Sequence, residues 1–529
     1  MPRLIALCCA LLLGGCTTLP GRDYPRQPSP LAAHAPNPQL LQPAHAGASA
    51  HTNTESGFRM YSLGIDGLLL RLELIDAAHS SLDLQYYIFH GDESGKLLTE
   101  ALLRAAARGV RVRILVDDGE TVRGDEQLFA LAGEPNVEIR VFNPWRYRGH
   151  NSFVRDVEYL FSHRRLDFRM HNKLFIADRA VALVGGRNVG DEYFQVDPDW
   201  QFADDDVLTT GAAVQQLAVS FEEYWQSEFA VPAQALLPAK ATDAAAAAAL
   251  AQRATVPKKA AKAGADYQQK LAAQEPLAGV LSGRVPLDWA RAEVVVDSPY
   301  KGKEQAKNVP HISSLLFAPV AEAIQGTRSE LMMVTPYLVP SPHEMRLLEE
   351  LRARECTVRI LTSSLEAESS HPAQAGYMHY RKPLLQAGVQ LYEIRARPQN
   401  PRGTGQGEQL SRYGHYSLHA KLLVFDRSAM YIGSMNYDQR SRRLNTEDGV
   451  IIHSGDLARQ AATRFDLMTQ PENAYAVRLE EQQPNDAPEL TWHTVESGQP
   501  VTLHHEHARS GWQSFEVHFL ELFPIDSEL

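Results

Sequence analysis

Cysteine is nearly absent from this chain: 529 residues hold four, and three of them fall within the first 16. Only Cys356 stands in the body of the sequence, so no disulfide framework can form there. Long apolar runs are missing too. The stretch Leu4–Leu13 is too short to cross a bilayer, and no later run is long or apolar enough to be a transmembrane helix. An excess of positive charge is also lacking. Fifty-two Lys and Arg face 64 Asp and Glu, a net charge of −12, which argues against nucleic acid as the main partner. What remains is ordinary folded composition, 44% hydrophobic and 22% charged. The length exceeds one compact core and predicts two or more domains.

The leader is informative. Arg3 precedes the apolar run, which ends in Leu13-Gly14-Gly15-Cys16, a tetrapeptide resembling a bacterial lipobox. That reading makes residues 1–15 a signal peptide and Cys16 the site of lipidation. The protein is then lipid-anchored in the bacterial envelope rather than spanning a membrane. Thr17 in place of an aspartate implies sorting to the outer membrane, facing the periplasm. The plainer alternative is a secretory signal with an incidental cysteine. Residues 16–56, rich in Pro, Ala, His and Gln, read as a flexible tether.

The rest of the chain repeats itself. In the first half a strand over 82–89, a helix over 96–108 stopped by Gly109 and a strand over 110–116 follow one another. In the second half the same order runs over 331–339, 343–354 and the strand holding Val358. The tetrapeptide Val-Arg-Ile-Leu occurs in both third elements, at 112–115 and 358–361. Strands 137–142 and 389–394 correspond further on. Alternating strands and helices predict sheets covered by helices. We place the domains at 57–231 and 287–529, with an Ala/Lys-rich linker or insert over 232–286. In that insert Asp243 is positioned to cap a helix over 244–249. Such a helix reads either as a solvated spacer or as a lipid-surface segment.

One long motif also occurs twice. His171-Asn172-Lys173 is followed at fixed intervals by Asp178 and by Gly185-Gly186-Arg187-Asn188. His419-Ala420-Lys421 is followed, with every interval the same, by Asp426 and by Gly433-Ser434-Met435-Asn436. A lone H-x-K means little, but two in one extended frame exclude coincidence. Residues two apart on a strand share a face, so each His–Lys pair projects together. Two imidazoles, two ammonium groups and two amides meeting at one cavity would form an anion site without a metal. A phosphodiester's developing charge requires such fixed donors.

The repeated motif resembles the signature of the phospholipase D superfamily. The stretches Gly185–Phe194, Phe202–Val207 and Phe523–Asp526 are similar to C-type bacterial cardiolipin synthases. The resemblance implies an α/β fold of two phospholipase D-like domains, each a mixed sheet flanked by helices, about a pseudo-twofold axis. It implies phosphatidyl transfer through a phosphohistidine, with phosphatidylglycerol and phosphatidylethanolamine as substrates, a membrane surface as partner and no cofactor or metal. His171 is expected as nucleophile and His419 as acid/base, with Lys173, Lys421, Asn188 and Asn436 holding the phosphoryl oxygens. Asp178 and Asp426 join the catalytic set as motif members, although a structural role at a turn suits their position better. Glu447 and Asp204 are expected to orient the two imidazoles, with Asp205 and Asp206 competing for the second role.

The remaining features are open to plainer readings. His504-His505-Glu506-His507 offers ligand types for a metal or only a polar surface. Tyr377, His379, Tyr380 and Arg381 read as a substrate-side helix or as core packing. Arg164, Arg165, Arg440, Arg442 and Arg443 read as headgroup contacts or as solvated or paired surface charge. The rival functions are a hydrolytic phospholipase D, a nuclease and a non-catalytic envelope lipoprotein.

Overall fold

The computed structural model describes residues 19–20, 24–25, 40, 54–119, 131–148, 151–197, 199–236, 276–305, 315–398, 415–481 and 487–522. The leader with Cys16, most of the tether and the stretch around Asp243 lie outside the described residues.

The first half supplies β1 (Glu55–Tyr61), β2 (Ser81–Tyr86), β3 (Arg111–Asp117), β4 (Val137–Phe142) and β5 (Leu174–Ala177). It continues with β6 (Val181–Gly185), β7 (Trp200–Ala203), β8 (Asp206–Gly211) and β9 (Ala230–Pro232). The second supplies β10 (Asp288–Val296), β11 (Glu330–Val334), β12 (Thr357–Ser363), β13 (Gln390–Ile394) and β14 (His415–Leu418). It ends with β15 (Leu422–Phe425), β16 (Ala429–Gly433), β17 (Asp448–Ile452), β18 (Ala474–Glu480), β19 (Glu489–Glu496) and β20 (Gln499–Leu503).

The two sheets match strand for strand. The first runs β1-β8-β6-β5-β2-β3-β4-β9, parallel only from β2 to β4. The second runs β10-β17-β16-β15-β11-β12-β13-β18, parallel only from β11 to β13. Strands β19 and β20 extend its far edge. The halves join where β1 pairs antiparallel with the start of β10, Gly57 opposite Trp289.

Side-chain alternation explains the layers. Leu174 and Ile176 of β5 face a core between the sheets, while Phe175 and Ala177 face the outer helices of the first half. In β15 Leu422 and Val424 face the same central core, and Leu423 and Phe425 face outward. Both faces are therefore buried, which is why these strands read as unbroken apolar runs. The helices Ala212–Gln226 and Gly455–Met468 fill the centre with Leu217, Phe221, Trp225, Leu457 and Phe465. Each such side chain contributes roughly 1.5–3 kcal/mol on burial. That core holds the halves together.

Local signals act as expected. Asp92 accepts the N–H of Gly95 to start the helix Glu93–Ala107, and Gly109, at φ 92°, follows its end. Ser341 and Glu344 form a reciprocal capping box on the helix Pro342–Ala353. Four boundaries differ. The strand expected over 331–339 ends at Val334. Strand β1 begins at Glu55, inside the expected tether. Strand β2 stops at Tyr86, after which the chain pairs only through the single bridge Phe89–Val189. The helix Pro276–Leu281, assigned to the linker by composition, packs on the first half: Leu277 is buried and its N–H meets Glu73 Oε2 at 2.7 Å.

Asp178 and Asp426 stand at turns, as their position in the sequence suggested. Each opens a tight hairpin turn, and each lies in the left-handed region with the arginine after it, φ 50–52°. The Asp178 carboxylate receives the N–H groups of His79, Ser80 and Ser81 and the Ser80 hydroxyl at 2.8–2.9 Å. Asp426 does the same for Arg328, Ser329 and Glu330. Both anchor the entry to a parallel strand. Asp178→Ala leaves three backbone donors without their acceptor, and we expect a loss of about 2–4 kcal/mol in urea unfolding. A variant as stable as the parent would remove the anchoring role.

Candidate active site

Both H-x-K segments lie in extended links just ahead of β5 and β15, not within the strands themselves. Asp117, at the end of β3, takes the N–H of Met170 at 2.8 Å and Arg169 Nη1 at 3.0 Å, fixing the approach to His171. Met170 bridges Thr446, and the His171 N–H donates to Thr446 O at 2.9 Å. The counterpart is β14, which pairs parallel with β7, Leu418 opposite Ala203, so that the His419 N–H donates to Ala203 O at 2.8 Å. In each case the residue before a histidine pairs with the residue before a carboxylate of the other half.

That crossing sets the chemistry. His171 Nδ1 lies 2.8 and 3.0 Å from the two oxygens of Glu447, and His419 Nδ1 lies 2.6 Å from Asp204 Oδ2. All four groups are buried. The rival acids are engaged elsewhere: Asp205 with Arg464, Asp206 with Arg71 and Arg187. Close approach depends on the motif glycines. A Cβ on Gly186 would stand 2.1 Å from Asp204 Oδ1. At the equivalent place Ser434 donates its hydroxyl to Glu447 Oε2 at 2.5 Å.

The other motif residues surround these pairs. Lys173 Nζ donates to the carbonyl of His171 at 2.6 Å, and Lys421 Nζ donates to that of His419 while lying 3.0 Å from its Nδ1. Asn188 accepts the N–H of Ile88 at 3.1 Å and donates to the Tyr193 hydroxyl at 2.9 Å, which leaves one amide hydrogen for an oxyanion. Asn436 keeps its Oδ1 buried and without a hydrogen-bond partner among the described residues.

Several contributors had no site role assigned from the sequence. Tyr87 meets the His171 ring edge-on at 5.1 Å, and Tyr193 meets His419 the same way at 5.0 Å. Asp297 exchanges hydrogen bonds with the Glu447 backbone and is itself held by the buried Lys301 at 2.7 Å. Arg440 reaches across to Asp167. Other candidates stand apart. Tyr377 and Arg381 both reach Glu393 at 2.9 Å and belong to the core. Of the histidine-rich tetrapeptide, Glu506 pairs with Arg381, and His507 lies 3.6 Å from Glu366. Arg442 pairs with Glu344.

Burial governs the ionisation. It holds both imidazoles well below the usual histidine value, helped by the charges of Lys173 and Lys421. It pushes Glu447 and Asp204 up to about 7, against the nearby lysines. It pulls Lys173 down to about 8 and Lys421 to about 7. A carboxylate this close to each Nδ1 favours the tautomer that carries its proton on that nitrogen. Nε2 is left with its lone pair, as a nucleophile or proton acceptor requires.

Residues 72–225 and 320–469 match the family model described as cardiolipin synthase, PLD-like domain. The chain belongs to this family. It is 34% identical to cardiolipin synthase C of Escherichia coli (strain K12), over 87% of this chain and 94% of that one. An uncharacterized protein of Helicobacter pylori (strain ATCC 700392 / 26695) is 30% identical, over 75% and 76% of the two chains. Among solved structures, phosphatidylserine synthase of Haemophilus influenzae Rd KW20 matches with a TM-score of 0.52 at 12% identity, over 81% and 90%. That likeness concerns the fold alone.

Two outcomes follow for this family member. Gly186→Ala displaces Asp204 from His419, and we expect about a hundredfold loss of turnover with folding retained. Unchanged turnover would show that the pair does not position His419. Because the imidazoles are held below 6.5, the acid limb of kcat/KM is expected below pH 6.5. A limb above that value would contradict the neutral resting imidazole.

Proposed function

We propose that this protein makes cardiolipin, passing a phosphatidyl group from phosphatidylglycerol or phosphatidylethanolamine to the glycerol hydroxyl of phosphatidylglycerol. The observation that carries the reading is the pair of buried imidazoles, each tied through Nδ1 to a carboxylate of the opposite half. Such a site suits two-step transfer at phosphorus. His171 Nε2 attacks phosphorus, forming a P–N bond as the P–O bond to the leaving alcohol breaks. His419, entering this step with a proton on Nε2 taken up alongside the anionic phosphodiester, gives that proton to the alcohol and is left neutral. The acceptor hydroxyl then enters and loses its proton to His419. Its oxygen attacks phosphorus, and the P–N bond breaks. His171 suits the nucleophilic role because Glu447 grips its Nδ1 with both oxygens while Ser434 steadies that carboxylate. Lys173, Lys421, Asn188 and Asn436 hold the phosphoryl oxygens.

The proposal extends to placement. Cleavage before Cys16 and lipidation of its thiol would anchor the protein at the outer membrane, facing the periplasm. The tetrapeptide Leu13–Cys16 and Thr17 support this. Among the described residues no helix is long and apolar enough to cross a membrane.

The test is lipid mass spectrometry on the purified protein with mixed phosphatidylglycerol and phosphatidylethanolamine vesicles. Cardiolipin is expected from the parent and not from His171→Ala or His419→Ala. Phosphatidic acid alone would replace the transferase reading with a hydrolase. Acid quenching with labelled lipid should trap phosphoprotein in His419→Ala and not in His171→Ala; the reverse would exchange the two roles.

A further inference from the structure

The helix Ser152–Leu166 sits in the connection between β4 and β5, and its outer face is apolar where solvent would favour polar residues. Phe153 and Leu160 are each 71% exposed and Phe161 50%, with Val154 and Tyr159 exposed beside them. A cluster of large apolar groups at i, i+7 and i+8 on one helix marks a contact surface.

Charge identifies what it contacts. Residues 145–166 carry five arginines against Asp156 and Glu158 in a chain of net −12; Arg148 pairs with Asp118 and Arg165 with Glu158, while Arg164 and Asp156 are exposed. Glu158 turns inward to the N–H groups of Arg146 and Tyr147, whereas Arg164 is exposed on the outer side. An apolar helix face flanked by arginine is complementary to an anionic lipid surface.

Position supports the same partner. The helix is capped by Asp167, which pairs at 3.1 Å with Arg440 of the other half, and the Arg440 charge acts on His171. His171 and His419 are only 7% exposed. A phospholipid must therefore send its phosphate inward while its acyl chains stay in an apolar medium next to the entrance. Through Asp167 and Arg440 the C-terminal end of the helix is linked to the surroundings of His171.

We infer that Ser152–Leu166 is a docking element that lies on an anionic bilayer and holds the mouth of the site against it, independently of any N-terminal anchor. The inference rests on the phospholipid reading of the site for its purpose, but its primary test does not. The C-terminal helix Gly511–Glu521 also exposes Trp512, Phe515 and Phe519. Its surroundings carry Glu506, Glu516 and Glu521 against Arg509, so it lacks the charge for an anionic surface and serves as the comparison.

The experiment is amide hydrogen exchange on the full chain with phosphatidylglycerol/phosphatidylethanolamine vesicles or with phosphatidylcholine vesicles. Exchange over 153–164 should slow about fivefold or more with the anionic vesicles only. No protection there, equal protection by phosphatidylcholine, or protection confined to 511–522 overturns the inference. Protection over 153–164 without any cardiolipin formed would uphold the docking surface and remove the synthase reading. Phe153→Ser/Leu160→Ser/Phe161→Ser should lower transfer on vesicles about tenfold or more and leave transfer with monomeric short-chain phosphatidylglycerol unchanged. Equal loss on both would show a structural role instead.

Discussion

Two crossed hydrogen bonds, His171 to Glu447 and His419 to Asp204, are the constraint around which this molecule is organised. Neither half contains a complete imidazole–carboxylate pair, so neither half is a catalyst alone. Burying four ionisable groups and two lysines costs several kcal/mol each unless every charge finds a partner. The halves must therefore close on each other within tenths of an ångström. The parallel pairing of β7 with β14, the Met170–Thr446 bridge and the Arg464–Asp205 ion pair provide that closure. The shared core between the sheets supplies the driving force, because apolar burial is non-directional and large while the polar contacts choose the register.

Symmetry in front of the imidazoles contrasts with asymmetry behind them. Each histidine has a lysine two residues on and a tyrosine ring against its edge. Behind them, one half uses the shorter aspartate with a glycine that admits its carboxylate, and the other uses the longer glutamate with a serine that bonds it. An extra methylene and an extra hydroxyl are coupled changes: the longer acid leaves room for a donor, and the donor limits its freedom. Asp297 and Lys301 add a further buried brace to Glu447 alone. His171 therefore stands on the more tightly held carboxylate.

Much of this was legible in one dimension. The matching intervals from His171 to Asn188 and from His419 to Asn436 marked a duplicated site, since spacing along a strand–turn–strand unit is set by local geometry. Strand Val137–Phe142 was found at its observed limits from its apolar residues at 137, 139, 141 and 142, with Glu138 and Arg140 alternating between them. Asp178 and Asp426 show what motif membership leaves open. A residue can hold its interval for the sake of a turn as readily as for a reaction, and only the three N–H groups converging on each carboxylate reveal which. Asp204 was expected at the position counterpart to Glu447, with Asp205 and Asp206 as close competitors. Their partners, His419, Arg464 and Arg71, come from remote parts of the chain, and pairing over such separations leaves no local trace.

By itself, then, the sequence determined the duplication, the elements and the reactive residue types, all of which depend on neighbours within a few tens of residues. Tertiary structure alone decided which carboxylate serves which histidine, that Tyr87 and Tyr193 frame the rings, and that the face of Ser152–Leu166 is left uncovered. Those outcomes depend on how two folded halves meet. The meeting is fixed by shape and burial summed over the whole interface, which no short stretch of chain encodes.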